Sequence, residues 1–151
     1  MTEFQISTII NKPVDIICKA LNNPDNHTYW TTDLERFEVI KGGPDMVGSV
    51  ARLHYSQKGK TYIMEDKLIY CEPGKKYISE VSGDAINATV ETNLKAIGDK
   101  TEMSLKWSGR GKVFFLKLLL PIFRGRMIKQ AKFELGTFKK LVEERGSIFK
   151  Q

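Results

Sequence analysis

The stretch Ala51-Arg52-Leu53-His54-Tyr55-Ser56-Gln57-Lys58-Gly59-Lys60-Thr61-Tyr62-Ile63-Met64-Glu65-Asp66 decides the fold. Lys58-Gly59 reads as a two-residue turn, which puts Gln57 opposite Lys60 and sets every further pair by counting outward. Arg52 then stands opposite Glu65 on one face. On the other face Tyr55 meets Tyr62, Leu53 meets Met64 and Ala51 meets Asp66. The hairpin divides into an outer face of opposed charges and an inner face that is mostly apolar. His54 falls on the outer face beside Arg52 and Lys67, where no catalytic role is expected of it.

The same count around Gly98-Asp99 places Lys95 opposite Glu102 and Glu91 opposite Lys106. Its inner face pairs Leu94 with Met103, Thr92 with Leu105 and Val90 with Trp107. Further breaks at Gly42-Gly43-Pro44-Asp45, Glu72-Pro73-Gly74 and Ser82-Gly83-Asp84 predict strands over 35–40, 48–57, 60–70, 76–82, 86–97 and 101–108. A first strand over 3–10 follows from Phe4, Ile6 and Thr8 alternating with polar neighbours.

Helical periodicity lies outside the strand region. Pro13 suits a first helical turn, and Val14, Ile17, Cys18 and Leu21 follow at the spacing of one buried stripe. Asn22-Asn23-Pro24 ends that helix, and a short second one is predicted from Asp25 to Trp30. Past Pro121, the residues Met127, Ala131, Leu135, Phe138 and Val142 mark a long helix ending near Gly146. The predicted class is α+β: a seven-stranded curved antiparallel sheet around a long C-terminal helix, with two short helices after the first strand.

Composition narrows the setting. With 151 residues, 41% hydrophobic and 28% charged, the chain suits one domain over 1–151 with a real core. The start lacks the basic-then-apolar pattern of a secretory signal, and a cytoplasmic address is expected. Cys18 and Cys71 form no metal spacing and are expected to be reduced. With only His27 and His54 and no clustered ligands, neither a metal nor another cofactor is expected. The glycines from Gly42 to Gly48 lack the Lys-Ser/Thr that a phosphate loop needs. The net charge of +6 owes much to residues such as Arg110, Lys117, Arg126 and Lys139, spaced like the wet side of a helix and without base-stacking aromatics. No nucleic-acid partner is expected.

One helix over a broad sheet leaves a gap unless large side chains fill it. Ala51, Thr92 and Ala131 on the inner surfaces suit a cavity and suit a packed core equally. Here a resemblance adds to the residues. The run Lys12-Pro13-Val14-Asp15-Ile16-Ile17-Cys18 through Pro24 to Trp30 resembles the helix-grip superfamily of START, Bet v 1 and polyketide cyclase/dehydrase proteins. So do Val47-Gly48-Ser49, the stretch Tyr62 to Asp66, Glu72-Pro73-Gly74-Lys75-Lys76, and a final helix closing in Leu141-Val142-Glu143. The resemblance implies a deep cavity between sheet and long helix for lipids, sterols, polyketides or plant-hormone-like ligands.

The expected ligand wall combines Trp30 with Leu53, Tyr55, Tyr62, Met64 and Asp66 from the first hairpin. The second hairpin adds Val90, Thr92, Leu94, Met103, Leu105 and Trp107, and the long helix adds Met127, Ala131 and Leu135. Asp66 stands out, because a lone inner carboxylate must be paired, hydrogen-bonded or protonated. It is a polar anchor or a general base on one reading, and a structurally bonded Asp on the other. Non-covalent binding of a hydrophobic molecule is the first expectation for function. The second is a cyclase or dehydratase-type enzyme using Asp66 and a tyrosine. The third is an interaction module built on the basic helix and the apolar run Val113–Phe123, which would touch a membrane if it does not simply pack over the sheet.

Overall fold

Alternation of buried and exposed side chains along β1 (Thr2–Ile10) puts Phe4, Ile6 and Ile10 on one face. Six further strands follow, β2 (Leu34–Lys41), β3 (Val50–Gln57), β4 (Lys60–Glu72), β5 (Lys76–Ser82), β6 (Ile86–Ile97) and β7 (Lys100–Gly111). The computed structural model describes residues 1–151 apart from the side chain of Phe115. Its strands form one antiparallel sheet in the order β1-β7-β6-β5-β4-β3-β2.

Both hairpin registers match the count. Gln57 pairs with Lys60, Arg52 with Glu65 and Ala51 with Asp66. Lys95 pairs with Glu102 and Val90 with Trp107. The first turn works because Lys58 and Gly59 both take positive φ, 51° and 80°, as a tight right-twisting hairpin requires. The opposed charges do not bond as the count implied. Among the described residues, Glu91 reaches sideways to Lys76 at 3.7 Å, Lys106 to Glu3 at 4.0 Å, and His54 to Glu38 at 3.0 Å. Exposed pairs are worth little each, so long side chains settle on lateral neighbours as readily as on the residue directly across.

β7 runs past the expected break, with Gly109 paired to Ala88 and Gly111 to Ile86. Gly109 belongs there for packing, since a Cβ on it would lie 2.4 Å from the Trp107 ring.

The helices sharpen the expected layout. Pro13 is the N-cap of α1 (Val14–Leu21) and lies just outside its first turn. The second helix divides into a 3₁₀ turn, Pro24–Asn26, and a single α turn, α2 (His27–Trp30). The apolar run forms a helix of its own, α3 (Phe114–Leu119), before α4 (Arg124–Arg145). Among the described residues no helix is long and apolar enough to cross a membrane.

α4 buries Leu135, Phe138 and Val142 in a core shared with Phe4, Ile6, Ile10, Ile17 and Met103. It lies chiefly over β1, the edge strand. Two of its cations bond the backbone there: Arg124 Nε donates to the Glu3 carbonyl at 2.9 Å, and Lys139 Nζ to that of Ile9 at 2.6 Å. These two residues are therefore not simply solvated, because they cover an otherwise unpaired sheet edge.

A second tie was not legible in the periodicity. Buried Asn26 donates to the carbonyls of Ala20 (3.0 Å) and Ser147 (2.8 Å) and accepts from the Phe149 amide at 3.0 Å. It thereby holds the C-terminal tail against α1, with Phe149 fully buried beside Phe138. Asn26→Ala strands those backbone groups and is expected to lower stability by about 3 kcal/mol in urea unfolding. A loss below about 0.5 kcal/mol, the level of an ordinary surface substitution, would contradict this assignment.

Candidate functional site

Because α4 leans towards β1, the concave face of the remaining strands stays partly uncovered. It encloses a cavity of about 560 Å³. β3 supplies Leu53 and Tyr55 to its wall, and β4 supplies Tyr62, Met64 and Asp66. β6 contributes Val90 and Thr92, β7 contributes Met103, Leu105 and Trp107, and the helices add Trp30 and Ala131. The period-two alternation of each strand brings these side chains to one surface.

Three expected wall residues sit elsewhere. Leu94 and Leu135 are buried in the core where helices and sheet touch directly, and Met127 packs against that same core. α4 contacts chiefly β1, and Met127 and Leu135 pack into the core on that side and not into the cavity.

Several wall residues were not anticipated. Tyr77, Ser79 and Val81 come from β5, with Val81 opposite Asp66 and Ser79 opposite Leu68. Their alternation was visible, but an irregularity between Leu68 and Tyr70 defeats a simple count across that hairpin. Glu134 follows Ala131 by three residues on α4, a helical neighbour that its charge made easy to assign to solvent. His27 and Phe37 complete that side, their rings stacked 4.0 Å apart.

Two titratable groups on this wall, Asp66 and His27, are strongly shifted by burial. Burial pushes the Asp66 carboxyl up to about 6, and a side-chain hydrogen bond with Ser79 offsets part of that rise. Asp66 thus exchanges its proton close to neutral pH. Burial lowers His27 to about 4, against a smaller raising influence from a hydrogen bond to the Leu21 backbone, so its imidazole is neutral at pH 7. Glu134 accepts from the Thr32 amide and from Gln130 Nε2, both at 3.1 Å. Tyr55 stacks on Tyr62 with centroids 4.9 Å apart and planes 7° from parallel. Burial holds the Tyr55 phenol well above its ordinary range, so it stays a neutral donor and acceptor. Tyr62 is the more exposed of the two, at the rim.

Trp30 is wedged edge-on against Phe138, with centroids 5.0 Å apart, and so is anchored in the core. Its Nε1 is buried without a hydrogen-bond partner. Together the wall offers the Asp66 carboxyl, which titrates near neutrality, the Glu134 side chain and the phenols of Tyr55, Tyr62 and Tyr77, set in a mostly apolar surface. Among the described residues no group of three His, Cys, Asp or Glu is placed to hold a metal ion.

No family model matches the chain, and no curated protein matches it in sequence. Solved structures do. Ara h 8.0201 superposes with a TM-score of 0.76 at 16% identity, covering 95% of this chain and 99% of its own. The Zhui aromatase/cyclase from Streptomyces sp. R1128 gives 0.75 at 13% identity, over 95% and 94%. A START superfamily protein from Mycobacterium smegmatis gives 0.73 at 12% identity, over 92% and 98%. At such identities what is shared is the fold. The path of the backbone, the seven-strand order and the long closing helix together make this chain a START/Bet v 1-like helix-grip protein in fold.

Proposed function

We propose that the protein binds a hydrophobic small molecule, of lipid, sterol or polyketide type, without covalent change. The observation that carries this reading is the cavity of about 560 Å³ between sheet and long helix, apolar except for a few convergent polar groups. Ligand cavities typically run from about 300 to 1,000 Å³ with that mixture of wall. The carboxyl of Asp66 adds a requirement, because it stands in a mostly apolar wall: the ligand carries a hydroxyl or carbonyl that meets it. Two free thiols, Cys18 and Cys71, suit a cytoplasmic setting.

Native mass spectrometry of the purified chain, followed by solvent extraction, tests the reading. A retained apolar molecule of discrete mass is the expected result.

A second reading has one observation in its favour: a carboxyl at about 6 is suited to general acid–base work at neutral pH. On this reading the protein is a cyclase or dehydratase-type enzyme, with Asp66 moving the proton and Tyr55 or Tyr62 polarising an oxygen. Asp66→Asn then abolishes turnover of the extracted molecule yet leaves it bound, whereas under pure binding no turnover exists to lose.

Asp66 also makes a pH prediction independent of ligand. Its carboxyl rises from 3.8 to about 6 on folding, so the folded state holds a proton that the unfolded chain has lost between those values. Stability from this group therefore falls as pH rises through that window. Asp66→Asn is expected to be more stable than the native chain at pH 8, by up to about 3 kcal/mol. The advantage shrinks towards pH 4. Parallel thermal melts at the two pH values check it, and a constant difference would remove the buried-carboxyl account.

A further inference from the structure

α3 is apolar on both sides, and only one side is covered. Leu116 packs against Gly111 at the end of β7, and Leu120 is buried. Phe114 and Leu118 on the outer side, four residues apart, are 76% and 59% exposed, and Ile122 in the turn that follows is 73% exposed. Val113 and Phe123 extend the same exposed patch. Large aliphatic and aromatic side chains left open in a contiguous patch mark a surface that something covers.

The charge around this patch is one-sided. Between Met103 and Phe133 the sequence holds eight Lys and Arg and no Asp or Glu. Set against +6 for the whole chain, this leaves a net charge of −2 on all the other residues. The basic character of the protein is therefore confined to the segment that carries the open apolar helix. Lys112, Lys117, Arg124 and Arg126 flank the patch and are exposed. Among the described residues none of these four has a carboxylate within 4.0 Å. Arg124 uses Nε on the Glu3 carbonyl, and the Arg126 guanidinium lies 5.9 Å from the Phe123 ring centre. Glu3, whose partner is Lys106, is the acidic residue that meets this face.

We propose that the outer face of α3, with the cations around it, docks on an anionic phospholipid bilayer. The apolar side chains enter the acyl boundary, while the long basic stems carry their charges to the lipid phosphates. Three of the five open side chains, Val113, Leu118 and Ile122, are aliphatic and cannot stack bases, which favours lipid over nucleic acid. A second copy would bring two strongly basic faces together, and like charges oppose that contact. The placement also has meaning for the cavity. Gly111 pairs with Ile86, a wall residue, and the Lys112 amide donates to the Ala85 carbonyl at 2.7 Å. The docked face thus lies next to one end of the cavity. The docking proposal goes beyond the ligand reading and stands without it.

Co-sedimentation of the full chain with mixed phosphatidylserine/phosphatidylcholine vesicles, and with pure phosphatidylcholine vesicles, tests this. Binding is expected to the mixed vesicles and not to the neutral ones. It should fall by at least about tenfold near 1 M salt, where the screening length is about 3 Å. Each cation near an anionic surface contributes roughly fivefold. The Lys117→Glu/Arg126→Glu pair should therefore cost at least about tenfold in the partition coefficient, as should Phe114→Ser/Ile122→Ser through lost insertion. Thermal melts identify any variant that fails to fold, and Lys112→Glu/Lys117→Glu then replaces the charge variant. No sedimentation with the mixed vesicles would overturn the proposal, as would equal binding to neutral ones or variants that bind like the native chain. So would salt-resistant dimerisation through Phe114 and Ile122 in place of vesicle binding.

Discussion

The molecule depends on a mismatch of widths. Seven strands at about 4.8 Å spacing make a sheet roughly 29 Å across, whereas a helix with its side chains is about 10–12 Å wide. One helix cannot cover that concave face. α4 lies at the β1 end, held there by Arg124 on the Glu3 carbonyl and Lys139 on that of Ile9. Those bonds put the helix over the edge strand, so the uncovered surface falls on the middle of the sheet. α1, α2 and the tail fill part of it, with Trp30 and Phe149 both packed on Phe138. The cavity is what remains.

Its polar groups follow from the same geometry. A closed core would reject Asp66, since a buried carboxylate with only Ser79 to bond it is costly. The cavity wall tolerates it by letting it hold its proton up to about pH 6. His27 responds in the opposite sense, losing its proton to the same burial. His27 is thereby neutral at pH 7, whereas Asp66 becomes neutral only below about pH 6, so the charge carried at Asp66 is set by pH close to neutrality. Such a wall discriminates by a few directed hydrogen bonds within a large nonspecific contact.

How much of this was legible depended on the distance over which each feature is encoded. The hairpin registers were readable because Lys58-Gly59 and Gly98-Asp99 are local, and one turn determines eight or more pairs by counting. From them came the inward side of Tyr55, Met64, Asp66 and Trp107. β5 was found but not registered, because the irregularity beside Leu68 lies within the strand and leaves no turn residue to announce it. Gly109 read as a break, although its reason is the Trp107 ring lying against it. Asn26 was unreadable for a stronger reason. Its bonds to Ser147 and Phe149 cross more than a hundred residues, and nothing in either segment alone signals the partner. The exclusion of Met127 and Leu135 from the wall likewise follows from the packing of α4 chiefly on β1, a property of the assembled layers.

α3 lies between these cases. Its apolar run was plain in the sequence, but an all-apolar stretch has no period and so does not say which side faces inward. The structure assigns Leu116 and Leu120 to the inside and Phe114, Leu118 and Ile122 to the outside. The cations of the C-terminal region then separate into two groups by what they touch. Arg124 and Lys139 bond the exposed edge of β1 and belong partly to the fold. Lys112 and Lys117 have no such duty among the described contacts, and neither does Arg126 beyond its place over Phe123. A basic helix face kept only for solubility would not need its charges gathered around an open apolar patch, with acids excluded for thirty-one residues. That clustering raises the local field where the apolar side chains are bare, which is the arrangement an anionic lipid surface recognises.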